Sequence, residues 1–197
     1  GIDIDNTIAI AGESRNYIEK KFRDKGLKII QVGRLNEVKN HYFSIKIAEE
    51  LEKRSIDFTM YFIGQGPLEN ELKQEVKNKC LENRVKFLGV RSDIPQFMSS
   101  ADYMIFPSLF EGFGVVLVES QAVGLAAIAS NHVPKEADFD LGLVEFLSLE
   151  SVNNWVDRLL ASRKSESDKK VIANTLKSQG FDAATNAQKL SQVYRGL

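Results

Sequence analysis

The chain has 197 residues, 43% hydrophobic and 27% charged, the makeup of a globular domain with one sizeable core. A formal net charge of -1 gives no compositional case for nucleic acid or a membrane surface as partner, and no apolar run approaches the ~20 residues that cross a bilayer. One cysteine, Cys80, rules out a disulfide framework within the chain, so a reducing, cytoplasmic setting is the expectation.

In chain order, residues 1–12 are irregular and open on GIDID without Met, which reads as the interior of a longer protein. Glu13–Lys25 has helical spacing of Tyr17, Ile18 and Phe22 and stops at Gly26. LKIIQV (Leu27–Val32) predicts a strand, followed at once by Gly33 and Arg34 and then by a polar loop holding Asn36, Lys39 and Asn40. His41–Lys53 is a helix with Phe43, Ile47 and Leu51 on one face. Asp57–Ile63 is a strand closed by Gly64 and Gly66, and Pro67–Lys79 a helix with proline in its first turn. Val85–Leu88 predicts a short strand ending at Gly89, and Asp93 is placed to cap a brief helix with Pro95 at its start.

The segment FPSLFEGFGVVLVESQAVGLAAIAS (Phe106–Ser130) then reads as strand end, glycine-containing turn, helix over Val115–Val123, stop at Gly124, and buried strand over Leu125–Ala129. Beyond it come a polar loop (Asn131–Asp140), a strand (Leu143–Phe146), a helix (Ser151–Ser162), a charged serine-rich stretch, and helices over Val171–Gln179 and Asp182–Tyr194. Short apolar strands alternating with amphipathic helices predict an α/β fold: a Rossmann-like parallel sheet with helices on both faces. In such sheets ligands bind at the carboxyl ends of the strands. That rim collects Gly33–Arg34, Gly64–Gly66, Gly89–Arg91 and Pro107–Gly114.

The chemistry of the rim suits a ligand with hydroxyls at both ends and phosphates between. A helix start after a glycine turn offers outward amides and a positive dipole end. Glu111 and Glu119, in an E-x7-E spacing, are carboxylates that accept from paired hydroxyls. The plainer reading has Glu111 capping the helix and Glu119 on a solvated face. Arg34 and Lys39 are either phosphate-holding cations or surface charges. No His/Cys/Asp cluster has metal-ligand spacing. His41 reads as a helix-start residue and Trp155 as core or inter-domain packing.

Four segments in order, VGRLNEVKNH (32–41), FIGQGPLENEL (62–72), VKFLGVRSDI (85–94) and ADYMIFPSLFEGFGVVLVESQAVG (101–124), resemble the C-terminal, donor-binding domain of retaining glycosyltransferases of the GT-B fold, in the glycosyl transferases group 1 family. EFLSLE (145–150) and VPKEAD (133–138) look most like members that build bacterial exopolysaccharide or capsule. The resemblance implies one nucleotide-sugar-binding domain over residues 1–197, with a linker and first helix in 1–25 and a last helix (182–197) that packs toward an N-terminal half. It implies that Arg34 and Lys39 hold the donor diphosphate and that Glu111 contacts the transferred sugar. These three are the expected catalytic residues. Gly112, Phe113, Gly114 and Val115 form the turn whose amides face sugar and phosphate, Glu119 takes the ribose, and Val90 and Arg91 flank the base, mostly through backbone. Gly33 and Gly64 serve turn geometry and close approach.

The implied reaction moves a sugar from a nucleoside diphosphate, with retention, to a saccharide or lipid-linked saccharide held by the N-terminal domain, without metal or other cofactor. A cytoplasmic enzyme peripheral to the inner face of the plasma membrane fits that picture. Two departures from many relatives, Ala126 for proline and Asn131-His132-Val133 for a glycine-rich segment, leave the sugar open. The alternatives are a non-catalytic nucleotide-binding module and a nucleotide-sugar epimerase on the same fold.

Overall fold

Six apolar segments form the strands: β1 (Leu27–Val32), β2 (Phe58–Ile63), β3 (Val85–Phe87), β4 (Tyr103–Phe106), β5 (Ala127–Ser130) and β6 (Val144–Leu147). The computed structural model describes residues 16–22, 26–161 and 169–178 and the single positions 6, 9 and 14. The helix expected at 182–194 lies outside the described residues. The strands form one sheet in the order β3-β2-β1-β4-β5-β6, and every pairing is parallel. Leu27 to Val32 run opposite Phe58 to Ile63, and Ile29 faces Tyr103 on the other side of β1.

The strands are mostly apolar because both faces of the sheet are covered, and polar residues enter them at Lys28 and Gln31 of β1, Thr59 of β2, Lys86 of β3, Ser130 of β5 and Glu145 of β6. Ile29, Phe58, Met60, Phe62, Ile105 and Ile128 point into one layer. They meet α2 (His41–Lys53), α3 (Glu69–Asn78) and α6 (Val152–Leu160) through Phe43, Leu51, Leu72, Val76 and the fully buried Trp155. Their neighbours Ile30, Tyr61, Met104, Phe106 and Ala129 point the other way, toward α1 (Tyr17–Phe22), α4 (Ile94–Ser100) and α5 (Val115–Ala122). This period-two division places helices on both faces, as the alternation of elements predicts. A last described helix, α7 (Lys169–Ser178), lays Ile172 and Leu176 on Val118 and Ala122 of α5.

Two local expectations differ from the structure. The helix expected from Pro67 begins at Glu69. The backbone before it is fastened to the loop after β1 instead: the Leu68 amide donates to the Leu35 carbonyl at 3.1 Å, and a Cβ at Gly66 would lie 2.3 Å from that oxygen. Asp93 occupies the N-cap position of α4, but its side chain makes no capping bond. It accepts from Arg91, Tyr17 and Lys21, charge-assisted partners that outcompete a backbone amide. The loop over 131–140 also contains a 3-10 turn at Lys135–Ala137, held by the buried Gln121 of α5, whose Nε2 donates to the Ala137 carbonyl at 2.6 Å and whose Oε1 accepts from the Phe139 amide at 3.1 Å.

Candidate functional site

The strand order changes direction between β1 and β4, and their carboxyl ends bound the crevice where such a sheet takes a ligand. On the β1 side the backbone is packed as closely as glycine permits. The Gly33 amide donates to the Ile63 carbonyl (2.9 Å) and the Gly64 amide to the Gly89 carbonyl (2.8 Å), so the ends of β1, β2 and β3 are tied together just beyond their ladders. At Gly64, with φ +139, a Cβ would stand 2.1 Å from the Gly33 oxygen. No other residue fits there, and the result is a low rim that a ligand can approach closely.

Lys39 is delivered to the crevice by a chain of polar contacts. Asn36 caps a 3-10 turn over Glu37–Lys39 by accepting from the Lys39 amide at 3.1 Å. The Lys39 carbonyl accepts from Nε2 of the buried Gln31 (2.7 Å), and the Gln31 Oε1 accepts from Ser44 Oγ of α2 (2.6 Å). The loop from β1 is then joined to the loop from β4. Asn40 Nδ2 donates to the Pro107 carbonyl at 3.1 Å and the Leu109 amide to the Val38 carbonyl at 2.8 Å. Across this seam the Lys39 ammonium donates to Glu111 Oε1 in an ion pair, the two side chains being 19% and 12% exposed. The ammonium also lies 4.9 Å from the centre of the Phe106 ring at the end of β4.

Arg34 is exposed on the same rim. Its side chain makes no hydrogen bond or ion pair among the described residues, and it lines a surface cavity of about 730 Å³ with Gln65, Gly66, Pro67 and Glu69. Glu69 is itself paired with Lys73 at 2.7 Å. The arrangement thus offers one uncommitted cation and one cation already shared with a carboxylate.

On the β4 side, Gly114 forms the N-cap of α5 in the left-handed region (φ +81, ψ +50), a conformation that glycine takes without cost. No side-chain cap closes this helix; the Leu117 amide turns back to the Gly114 carbonyl at 2.8 Å, and the Val115 and Val116 amides before it have no intrahelical acceptor. Gly112 is exposed, Phe113 is half-buried against α5 and α7, and Val115 is exposed at the helix start. Glu119, one turn further on, is half-buried, and desolvation pushes its carboxyl above the usual range. Val90 is exposed on the rim beyond β3. Arg91 is half-buried and forks onto Asp93 with bonds of 2.6 and 2.7 Å, which holds that carboxyl well below the usual range.

The structure therefore brings Lys39 into contact with Glu111 and places Arg34, Gly64, Val90 and the turn over 112–115 around the same edge of the sheet, while Arg91 is committed to Asp93. Sequence reasoning missed Gln31, Asn36 and Asn40 as the residues that set Lys39. Gln31 was visible as a polar residue inside a buried strand, and Asn36 as an amide three positions before Lys39. His41 starts α2 as expected, yet it is 1% exposed, with both ring nitrogens unpartnered and the ring edge-on to Phe62 at 4.9 Å. Burial, aided by the Lys39 charge, pushes its pKa down to about 3, so the ring is neutral. Among the described residues no group of three or more His, Cys, Asp or Glu side chains is placed to hold a metal ion, and no helix is long and apolar enough to cross a membrane.

A doubly wound sheet with a polar crevice at its switch point defines a Rossmann-like α/β domain. The family model described as Glycosyl transferases group 1 matches residues 13–139, and the chain belongs to that family. It is 39% identical over 170 residues to EpsF of Bacillus subtilis, which carries a glycosyltransferase name, covering 85% of this chain and 44% of that protein. It is 34% identical over 120 residues to a Campylobacter jejuni protein named N-acetylgalactosamine-N,N'-diacetylbacillosaminyl-diphospho-undecaprenol 4-alpha-N-acetylgalactosaminyltransferase, covering 59% of this chain and 32% of that one. The chain thus spans less than half the length of either relative. Its fold matches that of GT-B glycosyltransferases. HepE of Anabaena, solved in complex with UDP, superposes with a TM-score of 0.76 at 22% identity over 100% of this chain and 56% of that one.

Proposed function

We propose that this chain binds a nucleoside diphosphate sugar along the strand rim and forms the donor half of a retaining glycosyltransferase. The acceptor is a saccharide or lipid-linked saccharide in cell-surface polysaccharide synthesis. The observation that carries this reading is the meeting of Lys39, from the β1 loop, with Glu111, from the β4 loop, at the switch point of the sheet. A cation for phosphate and a carboxylate for hydroxyls lie within one contact of each other, beside the amides of the α5 start. The UDP in the HepE structure and the diphospho-undecaprenol in the Campylobacter relative's name support the same ligand and acceptor classes.

In this reading Arg34, Lys39 and the α5 amides hold the diphosphate, Glu111 the sugar, and Glu119 the ribose. As the sugar–phosphate bond breaks, negative charge grows on the departing diphosphate, and fixed cations and amides stabilise it there. The two side-chain charges serve without a metal. The leaving phosphate oxygen takes the acceptor proton, so this half supplies no general base. The acceptor is presented by another part of the whole protein, which works on the cytoplasmic side of the membrane as a peripheral enzyme.

Calorimetric titration tests the assignment. Arg34→Ala and Lys39→Ala each weaken nucleoside diphosphate binding by ~1.5–3 kcal/mol, the worth of a charge-assisted hydrogen bond, and weaken the bare nucleoside less. Glu119→Gln weakens diphosphate and nucleotide sugar alike. Glu111→Gln frees Lys39, so it spares or strengthens the diphosphate while slowing transfer in the intact enzyme. Equal losses for nucleoside and diphosphate would place the two cations away from the phosphates. Loss of diphosphate binding in Glu111→Gln with Glu119→Gln unaffected would exchange the roles of the carboxylates.

A further inference from the structure

The loop between β3 and α4 has an unusual support. Its backbone is tied down at Leu88, whose amide donates to the Phe62 carbonyl (2.9 Å), and at Gly89, whose carbonyl accepts from the Gly64 amide. Among the described residues, the backbone from Val90 to Ser92 makes no hydrogen bond of its own. What faces the crevice is bare and apolar: a Cβ at Gly89 would meet nothing within 4 Å, and Val90 is 70% exposed. A planar base could lie on that surface, beside the glycine rim.

Side chains from elsewhere fix the loop. Asp93 accepts the Arg91 fork, the Tyr17 hydroxyl, and Lys21 Nζ at 3.2 Å. The charges rest on aromatic rings: the Arg91 guanidinium lies 5.2 Å from the Phe97 centroid, and Lys21 Nζ lies 4.9 Å from that of Tyr17. The packing of α1 does not depend on these polar ends. Ile18 is fully buried and its amide donates to Ser100 Oγ at 3.1 Å, while Phe22 packs on Tyr61 and Phe97. Lys21 is 37% exposed, and ion pairs at that exposure add little to folding stability. The contacts of the Tyr17 hydroxyl and the Lys21 ammonium therefore bear mainly on where the loop sits.

We infer that Tyr17 and Lys21 are positioning residues for the nucleoside end of the site, holding Gly89 and Val90 on the rim through Asp93 and Arg91. This rests on the donor-binding reading above. The strap joins α1 to the rim beyond β3, on the far side of β1 from Glu111, so it acts on the base and not on the phosphates.

The test is a titration of the double variant Tyr17→Phe/Lys21→Met, which keeps both apolar bodies and removes their polar ends. The probes are the tightest binder among UDP, GDP and ADP, and inorganic pyrophosphate as a reporter of the phosphate half. Nucleoside diphosphate affinity is expected to fall about tenfold, with pyrophosphate affinity unchanged and the protein still folded by circular dichroism, and Lys21→Arg alone should bind as the wild type does. Tyr17→Phe alone reads the same contrast at about threefold, should the double variant fail to fold. Unchanged nucleotide affinity, or a parallel loss with pyrophosphate, overturns the positioning role. Wild-type protein that binds neither probe overturns the donor reading itself, and the strap then has no site to serve.

Discussion

His41 should make the protein acid-sensitive in a window above that of ordinary carboxylates. Its ring is 1% exposed, neither nitrogen has a partner, and its pKa is pushed down to about 3 from the ~6.5 of an unfolded chain. A folded-state pKa below the unfolded one means that the unfolded chain takes up the proton first. The contribution to stability is complete above pH ~6.5, falls as the pH drops below it, and levels off near 3. With ~1.4 kcal/mol per unit, acidification from pH 7 to 5 removes about 2 kcal/mol, a large share of a typical domain's stability. His41→Phe keeps a planar ring edge-on to Phe62 and cannot be protonated. Urea unfolding followed by circular dichroism at pH 7, 6 and 5 should give a free energy that falls more steeply on acidification for the wild type than for the variant. Carboxylates held low, such as Glu49 and Asp93, lose their contribution only below the window. Glu119 and Asp138, pushed up by burial, act in the opposite sense and cannot mimic the fall. Equal slopes in the two proteins would refute a neutral, desolvated His41.

Gly64→Ala should cost at least ~2 kcal/mol, because the new Cβ would lie 2.1 Å from the Gly33 oxygen at a strained φ; an unchanged melting temperature would mean that the rim is not built this way. On the proposed reading, nucleoside diphosphate affinity should decline on acidification at a higher pH than an ordinary carboxylate allows, since burial pushes the Glu119 carboxyl up and protonation removes its charge and turns one acceptor oxygen into a donor. Titrations over pH 4–7 should lose that dependence in Glu119→Gln, and a wild-type profile identical to the variant's would count against Glu119 as a ligand group.

The sheet was legible because its strands are buried on both faces, so YMIF stands out as an unbroken apolar run and FTMYFI as one interrupted only by Thr59. The rim was legible for the same reason, since topology alone puts the residues after each strand on one edge. What topology does not supply is contact. Lys39 and Glu111 are 72 positions apart, and their meeting depends on a 3-10 turn set by Asn36 and on the buried Gln31–Ser44 bond. Asp93 was readable as a helix cap by a local rule, but Tyr17, 76 positions away, and Arg91 offer stronger partners. The start of α3 was misplaced because the Gly66-Pro67 backbone serves loop-to-loop packing, which sequence spacing does not record.

The Lys39–Glu111 pair bears on which ligand the proposed site prefers. Two unit charges ~4 Å apart interact by ~4 kcal/mol at an effective dielectric of 20, a gain partly spent on desolvating the pair. A bare diphosphate entering the crevice draws Lys39 toward itself, weakens its hold on Glu111, and leaves that 12%-exposed carboxylate near new negative charge. A diphosphate that carries a sugar also draws Lys39, but its hydroxyls donate to Glu111 and replace what the ammonium gave. The ion pair thus penalises the product diphosphate more than the donor, and the penalty vanishes when Glu111 loses its charge. On the proposed reading, the ratio of donor to diphosphate affinity should fall in Glu111→Gln from both sides at once, through a weaker donor and a stronger diphosphate. A lone sugar-contacting carboxylate with no tie to Lys39 would lower the ratio from the donor side only.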